Sequence, residues 1–376
     1  MKKKLRVGLI FGGRSGEHEV SLMSAQGVMA ALDKDKYQVV PIGITKEGHW
    51  LASGDPMRAL SSGSIAESHP AALLAEPSER GLMRLEEQAH AKELAAIHIS
   101  KLDVIFPILH GPFGEDGTVQ GLLELAGVPY VGAGVAASAV GMDKALFKDI
   151  MRARGLPVVP DVVLKRKTWE KDPEGTVALV EAEIGYDCFV KPANLGSSVG
   201  ISKAHNRTEL RAALDEAAHY DRKLIVEVAV DAREIEVSVL GNDEPSASVP
   251  GEIVPCNEFY DYSAKYLDDD SELLIPAPIT PDLADRIRKM AVGAYLAIDC
   301  AGLARVDFLL DRRTEQLYIN EVNTLPGFTP ISMYPKLWEA SGLSYPELID
   351  RLIELALERH ADKTRSATSY QALSEG

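Results

Sequence analysis

The most specific chemistry in this sequence lies in two short runs. Arg305-Val306-Asp307-Phe308-Leu309-Leu310 is followed, across Asp311–Glu315, by Tyr318-Ile319-Asn320-Glu321-Val322-Asn323. If these are hairpin strands turning near Thr314, Asp307 lies opposite Glu321 and Arg305 opposite Asn323. Period-two alternation then gathers those four side chains on one face. Val306, Phe308, Leu310 and Val322 are left on the other, against a core. Two carboxylates and an amide offer hard oxygen ligands that suit Mg²⁺, which completes its octahedron with substrate phosphates. A solvated sheet face laced with cross-strand ion pairs is the competing reading. The amide at Asn323 and the Gly-Pro-rich sequel favour the metal.

A second candidate handles phosphate. Phe189-Val190-Lys191-Pro192 ends an apolar strand with a lysine, and Asn194–Gly200 then supplies glycines and small hydroxyl residues. Backbone N–H groups in such a loop can wrap a triphosphate while Lys191 supplies charge. A surface hairpin turn is the plainer alternative. No GxxxxGK[ST] loop and no GxGxxG occurs in the chain. Gly196-Ser197-Ser198-Val199-Gly200 formally matches the GxSxG elbow of α/β-hydrolases. That elbow needs a helix immediately after it, whereas Ile201-Ser202-Lys203 reads as strand, and the His110 loop precedes the serine, against the hydrolase order of Ser, acid, His.

Composition limits the partners. The chain has 376 residues, 46% hydrophobic and 26% charged, the profile of a globular protein with two or three domains. Forty Lys and Arg face 56 acidic residues, a net charge of −16, and no basic run extends beyond Lys2-Lys3-Lys4. Such a chain repels nucleic acid and anionic membrane, so neither is expected as a partner. Three cysteines, at 188, 256 and 300, are odd in number and lack CxxC spacing, which points to a reducing cytoplasm rather than a disulfide or zinc framework. The apolar run after the N-terminal lysines is short and interrupted by Arg6 and Gly8, so it is not read as a signal peptide. No stretch approaches the roughly 20 apolar residues of a membrane span.

The elements that must position these residues follow from periodicity. Leu5–Phe11 reads as a buried strand, Gly12-Gly13 as a turn, Glu19–Leu32 as a helix and Tyr37–Ile44 as a strand, with a hairpin around Lys46-Glu47-Gly48. This opening predicts a small parallel sheet. Residues 53–98 read as an irregular insertion of short helices. Leu102–Leu109 is a strand ending in the glycine-rich loop His110–Gly117, followed by a helix over Thr118–Ala126. One helix is expected over Ala136–Arg154 and another over Thr208–His219. Strands follow over Lys223–Val230, Ile235–Leu240 and Ser248–Val254. Asn257–Ile275 has no usable period and reads as a functional loop. Helices near Ile331–Ala340 and Tyr345–Arg359 and a frayed tail complete the chain.

Taken in order, six motifs resemble the D-alanine–D-alanine ligases. They are Gly12-Gly13-Arg14-Ser15-Gly16-Glu17-His18-Glu19-Val20-Ser21, His110–Gly117, Gly141-Met142-Asp143-Lys144, Val190-Lys191-Pro192 with Gly196–Gly200, Phe259–Tyr266, and Glu321–Thr329. The match runs from about residue 5 to 360, and six separated motifs in one order are far more specific than any one of them.

The resemblance implies an ATP-grasp fold of α/β and α+β domains. An N-terminal parallel-sheet domain (1–132, with the 53–98 insertion) precedes a central lobe (133–228) and a C-terminal lobe (229–376) carrying the 257–275 loop. It implies a two-step reaction in which ATP phosphorylates one D-alanine carboxylate and a second D-alanine amine attacks the acyl phosphate, supplying peptidoglycan precursor synthesis. By the same resemblance Asp307, Glu321 and Asn323 hold two Mg²⁺, with Mn²⁺ as an alternative occupant. Lys144 and Lys191 meet the α/β-phosphates, Glu227 and the Val228–Val230 backbone flank adenine, and Glu234 meets the ribose. Arg305 and the Gly327 N–H form the oxyanion hole. Glu17 pairs with the first D-alanine ammonium, His110 lies beside it, and Ser197 and Tyr266 complete a hydrogen-bonded triad with Glu17. Ser332 and Lys265 take the second D-alanine carboxylate, with Met333 next to them. A homodimer is the family expectation.

Each single residue also has a plainer role. Glu17 could be a helix N-terminal acid, Ser332 a helix cap, His110 a turn residue, Lys144 a solvated lysine, and Glu227 and Glu234 rim charges. Val230 and Met333 stand where the family often has leucine, which affects fit more than reaction type. Ser263-Ala264-Lys265-Tyr266 points to a dipeptide product. The alternatives are a D-Ala–D-Lac or D-Ala–D-Ser ligase of the same fold, another ATP-grasp enzyme, or a silent nucleotide sensor.

Overall fold

The computed structural model describes residues 3–63, 68–77, 81–87, 94–196, 199–254, 272–329 and 331–367. Three sheets organise them. The first is built on β1 (Leu5–Gly12), whose Val7, Leu9, Ile10 and Phe11 are wholly buried. It pairs in parallel with β2 (Tyr37–Ile44) and with β7 (Val104–Ile108), and α1 (His18–Ala31) packs on it. Gly12 ends β1 at φ +89°, where a Cβ would stand 2.2 Å from the Ile44 carbonyl, so only glycine permits this approach.

The 53–98 region departs from the expected helical insertion. After β3 (Trp50–Gly54), α2 (Pro56–Ser62) is the one helix among the described residues of this region. The strands β4 (Ser68–Leu73), β5 (Gly81–Glu87) and β6 (Leu94–Lys101) then extend the first sheet antiparallel to seven strands, so it is mixed rather than simply parallel. Alanine favours helix locally, but an open sheet edge with unpaired backbone groups recruits alternating runs such as Leu-Ala-Ala-Ile-His-Ile.

The α3 helix (Thr118–Leu125) follows β7. The single helix expected over 136–154 is two, α4 (Val135–Met142) and α5 (Lys144–Ala153). Asp143 breaks them: its carboxylate accepts the Leu146 N–H as the N-cap of α5, which starts that helix at Lys144. A four-stranded sheet comes next, from β8 (Asp161–Lys165), β9 (Cys188–Pro192), β10 (Ser202–Ala204) and β11 (Lys223–Val228). It is covered by α6 (Arg166–Lys171), α7 (Pro173–Glu183) and α8 (Arg207–Tyr220).

The third sheet has β12 (Ala232–Gly241), β13 (Ser246–Ala247), β14 (Gly251–Val254), β15 (Glu272–Leu274), β16 (Gly302–Asp311) and β17 (Leu317–Asn323). The final residues of the loop expected over 257–275 are thus strand, paired to β14, and residues 255–271 lie outside the described ones. Behind this sheet, α9 (Pro281–Ala297) shares one core with α4 and α5. The last helices, α10 (Met333–Ala340) and α11 (Tyr345–Lys363), pack with the first sheet.

Phe328 sits where these layers meet. It is fully buried, its ring edge-on to Phe106 of β7 at 6.0 Å and tilted against Tyr334 of α10 at 5.4 Å. Phe328→Ala should lower unfolding free energy by about 3–5 kcal/mol in chemical denaturation. Leu125→Ala, at an exposed position, should change it by less than about 0.5 kcal/mol.

Candidate active site

The hairpin forms with the expected pairing: Arg305 faces Asn323 and Asp307 faces Glu321. Val306, Phe308, Leu310 and Val322 are buried in the core behind. A bulge between Asp307 and Phe308 shifts the rest of the register to Phe308–Ile319 and Leu310–Leu317. The bulge lets Leu317 and Ile319 stay in the core with Val322, although the three are not evenly spaced. On the opposite face the Arg305 guanidinium grips Asp307 with two hydrogen bonds of 2.7 Å, Nε to Oδ1 and Nη2 to Oδ2. The same Nε lies 3.0 Å from Glu236 Oε2.

Lysines approach from the second sheet and from α5. Lys144 Nζ donates to the Leu195 carbonyl at 2.8 Å and stands 3.7 Å from Glu321 Oε2. Its own N–H donates to Ala193, so the α5 start and the loop after β9 are stitched together. Lys191, ending β9, and Lys148, one turn beyond Lys144, each contact one oxygen of Glu227 at 2.6 Å. Burial opposes charge on all three. Lys191 and Lys148 nevertheless hold the Glu227 carboxyl down to about 2. Burial lowers Lys148 to about 8, and Glu227 limits that drop. Burial also works against Lys191, but Glu227, Glu321 and Glu234 keep its ammonium above the ordinary lysine value. Glu234 therefore lies within electrostatic reach of the same lysine, on β12. Val228 and Val230 are half-buried at the crossing from β11 to β12, and the Val228 N–H donates to the Pro160 carbonyl at 3.1 Å.

A third cluster lies where β1 and β7 end. Glu17 is buried at the N-cap of α1 without capping it through its side chain. A Cβ on Gly111 would meet Glu17 Oε2 at 2.7 Å and one on Gly196 at 3.6 Å, so both glycine loops close on this carboxylate. His110 is buried: Nδ1–H donates to the Leu325 carbonyl at 3.0 Å, and Nε2 lies 3.3 Å from Ser24 Oγ. Ser24 Oγ also accepts the Phe328 N–H at 3.2 Å. Glu115 Oε1 is 3.5 Å from His110 Nδ1. Burial raises Glu115 to about 7 with Glu17 adding to the rise, while His110 opposes it. Burial disfavours the imidazolium, but Glu115 and Glu17 raise His110 above the ordinary histidine value.

The loop after β17 completes the geometry. Ser332 precedes α10 but does not cap it with its side chain. Its Oγ accepts the Thr329 N–H at 3.0 Å and lies 2.7 Å from Thr329 Oγ1. A Cβ on Gly327 would come within 2.9 Å of that Oγ, so Gly327 and Ser332 are adjacent. Met333 is buried against Ile253 and Leu337 and reads as packing beneath the site. Ser197, Lys265 and Tyr266 lie outside the described residues.

Three neighbours escaped the sequence reading. Glu236 is two positions beyond Glu234 on the same strand face, a signal that alternation offered. Lys148 is four beyond Lys144 on α5. Glu115 sits inside a motif already singled out, and only the fold shows it touching His110.

The donor set fits a hard cation. Asp307 and Glu321 are carboxylates on directly paired residues, and Asn323 Oδ1 accepts the Leu325 N–H at 3.2 Å with a second lone pair remaining. Among the described residues no group of three or more His, Cys, Asp or Glu is arranged to cage a metal.

Comparison with known proteins identifies the family. Residues 6–133 match the family model for the D-ala D-ala ligase N-terminus and 150–354 that for the C-terminus. The D-alanine–D-alanine ligase of Heliobacterium modesticaldum is 54% identical over 365 residues, 97% of this chain and 98% of its own. That of Natranaerobius thermophilus is 50% identical over 369 residues, 98% and 99%. Among solved structures, the D-alanine–D-alanine ligase from Coxiella burnetii superposes with TM-score 0.80 at 36% identity, covering 96% of each chain. The VanG D-Ala:D-Ser ligase from Enterococcus faecalis gives 0.83 at 35% identity, covering 94% of this chain and 100% of its own. With both halves matched in order and half the residues identical across nearly the whole length, this chain belongs to the D-alanine–D-alanine ligase family and has its ATP-grasp fold.

Proposed function

We propose that this protein uses ATP to join two D-alanines into D-alanyl-D-alanine through a D-alanyl phosphate, releasing ADP and phosphate and supplying peptidoglycan precursor synthesis. The observation that carries the site assignment is the β16–β17 register. It puts Arg305, Asp307, Glu321 and Asn323 on one face with Lys144 3.7 Å from Glu321.

Asp307, Glu321 and Asn323 would hold two Mg²⁺, or Mn²⁺. Bound there, the ions would neutralise charge on the ATP phosphates during transfer. Lys144 and Lys191 approach the phosphates from α5 and β9, and Glu227 tethers the Lys191 ammonium at 2.6 Å. Glu234 and the Val228–Val230 backbone flank the nucleoside. Glu17 receives the ammonium of the first D-alanine, and His110 stands beside it, held by Leu325. That substrate's carboxylate then faces the terminal phosphate. The second D-alanine's carboxylate falls to Ser332 and Lys265, and its amine attacks the acyl phosphate. Negative charge on the tetrahedral oxygen is received by the Arg305 guanidinium and the Gly327 N–H. Ser197 and Tyr266 act with Glu17 in closing the site, and Met333 supports Ser332 from below.

Division of the chain near residues 132 and 228 belongs to the same reading. It is supported by three sheets whose strands fall within 1–132, 133–228 and 229–376. Homodimer assembly and cytoplasmic residence are also proposed. The free thiols of Cys188 and Cys300 suit a reducing compartment, and no described helix is long and apolar enough to cross a membrane.

Purified protein given ATP, Mg²⁺ and D-alanine should release phosphate and yield a product with the mass of the dipeptide. L-alanine should be inert, and D-serine or D-lactate as second substrate should give minor product. Dominant D-serine or D-lactate product would overturn the dipeptide assignment. Arg305→Ala and Asp307→Ala should each remain folded by circular dichroism and lose turnover by about 100- to 1,000-fold. Normal turnover in either removes the mechanism.

The buried Glu115–His110 pair sets a pH dependence. Both groups have folded pKa values above their unfolded ones, so the native state holds more protons. The pair's contribution to stability is therefore full below the ordinary glutamate value and is lost as pH rises through about 7. Denaturation midpoints between pH 5 and pH 8 should fall in the wild type and fall less in Glu115→Gln. Parallel pH profiles for the two proteins would refute this.

A further inference from the structure

Three carboxylates stand in one row across the third sheet. Glu236 on β12 pairs with Asp307 on β16, and Asp307 pairs with Glu321 on β17. Side chains directly opposite on neighbouring strands lie about 4.5–5.5 Å apart at Cβ, and like charges so placed repel. Glu236 and Asp307 are both buried, which sharpens the repulsion. On its other side Glu236 faces Gly251, which has no side chain, and Gly251 is packed by Met333 and Leu337, which are apolar. Among the described residues, the cation in contact with both Glu236 and Asp307 is Arg305, diagonal to Glu236 and two positions before Asp307.

This arrangement creates a conflict within the proposed mechanism. Arg305 uses both oxygens of Asp307, and a metal ion at Asp307 needs at least one of them. Arg305 must also be aimed at the reacting carbonyl. Glu236 lies one strand away from the hairpin that carries the three metal ligands, and its oxygen is 3.0 Å from Arg305 Nε. We propose that Glu236 is a positioning residue that retains the Arg305 guanidinium, so that Asp307 can serve the metal while Arg305 stays aimed at the substrate. The proposal rests on the assignment of Asp307 as a metal ligand. A purely structural carboxylate would be satisfied by any neutralising arrangement. A positioning one makes metal affinity depend on whether Arg305 is present.

The test is a titration of Mn²⁺ into the full-length protein saturated with ADP, reading free Mn²⁺ by electron paramagnetic resonance. Glu236→Gln keeps the shape of the side chain but removes the Glu236 charge that draws Arg305 away from Asp307. Its Mn²⁺ affinity should fall on the order of 10- to 100-fold, as for other residues that orient a ligand. The double variant Arg305→Met/Glu236→Gln has no arginine to compete for Asp307. It should recover wild-type Mn²⁺ affinity within a few-fold while remaining inactive in ligation. Unchanged affinity in Glu236→Gln overturns the proposal. So does a double variant as weak as the single one, which would make Glu236 itself a ligand or part of the local fold. Wild-type protein that binds no Mn²⁺, or Asp307→Ala that binds it normally, would instead sink the metal assignment beneath the proposal.

Discussion

The pairing of β16 with β17 is the constraint on which the site depends. A strand has two faces, and a slip of one residue exchanges them. Here one face carries Val306, Phe308 and Leu310 into a core shared with α4, α5 and α9, so β16 has no freedom to slip. Its partner anchors through Leu317, Ile319 and Val322, a spacing that a regular strand cannot present to one side. The bulge opposite the Asp307–Phe308 step absorbs the odd residue. Burial of apolar side chains on one face is thereby converted into the placement of Glu321 and Asn323 beside Asp307 and Arg305 on the other.

Charge placement follows a second rule. The chain carries a net charge of −16, yet its proposed ligand is a polyanion, so the local field must oppose the global one. Each relevant cation is tethered by a carboxylate from another element: Lys144 near Glu321, Lys191 and Lys148 on Glu227, and Arg305 on Glu236 as well as on Asp307 of its own strand. Ion pairs this deeply buried contribute little net stability, because desolvation offsets attraction. Their effect is geometric. A lysine held at 2.6 Å by a buried carboxylate loses its rotamer freedom before ATP arrives rather than on binding, and that preorganisation is what phosphoryl transfer requires.

Much of this was legible in the residues, and the rest was hidden for physical reasons. Strict alternation from Arg305 to Leu310 set the β16 faces, and the symmetric turn near Thr314 gave both polar pairings. The bulge was written in the uneven core spacing of Leu317, Ile319 and Val322 but is hard to weigh without knowing which side is buried. The break at Asp143 was missed because Val135–Ala153 is strongly helical in composition and a single N-cap carries little weight there. The 53–98 strands were missed because their alanines and short runs acquire β character only from the edge they join. Glu115 beside His110 is a tertiary contact within a glycine-rich loop, which no period reveals. Lys265 and Tyr266 belong to a stretch where the sequence had no usable period, and their roles rest on family resemblance.

The reaction needs an amino-acid carboxylate and a nucleotide phosphate brought within about 3–3.5 Å, yet the groups assigned to each come from different sheets. Glu17 and His110 rise from the first sheet, the lysines from α5 and the second sheet, and the carboxylates from the third. The loop after β17 joins two of these frames. His110 holds the Leu325 carbonyl, Ser24 holds the Phe328 N–H, and Tyr345 of α11 donates to the Phe328 carbonyl at 2.9 Å. Farther along α11, Arg359 bonds the carbonyls of Tyr130 and Gly132, and its guanidinium lies 4.4 Å over the Tyr130 ring. A helix far from the chemistry thus fixes both the exit of the first sheet and the loop that carries Gly327. Gly327 and Glu17, proposed as oxyanion donor and first-substrate carboxylate, are thus referenced to the same buried cluster, with Phe328 at its centre. The lysines proposed for the nucleotide are the separate part, and stitching Lys144 to Ala193 and Leu195 ties α5 to the loop after the strand that carries Lys191.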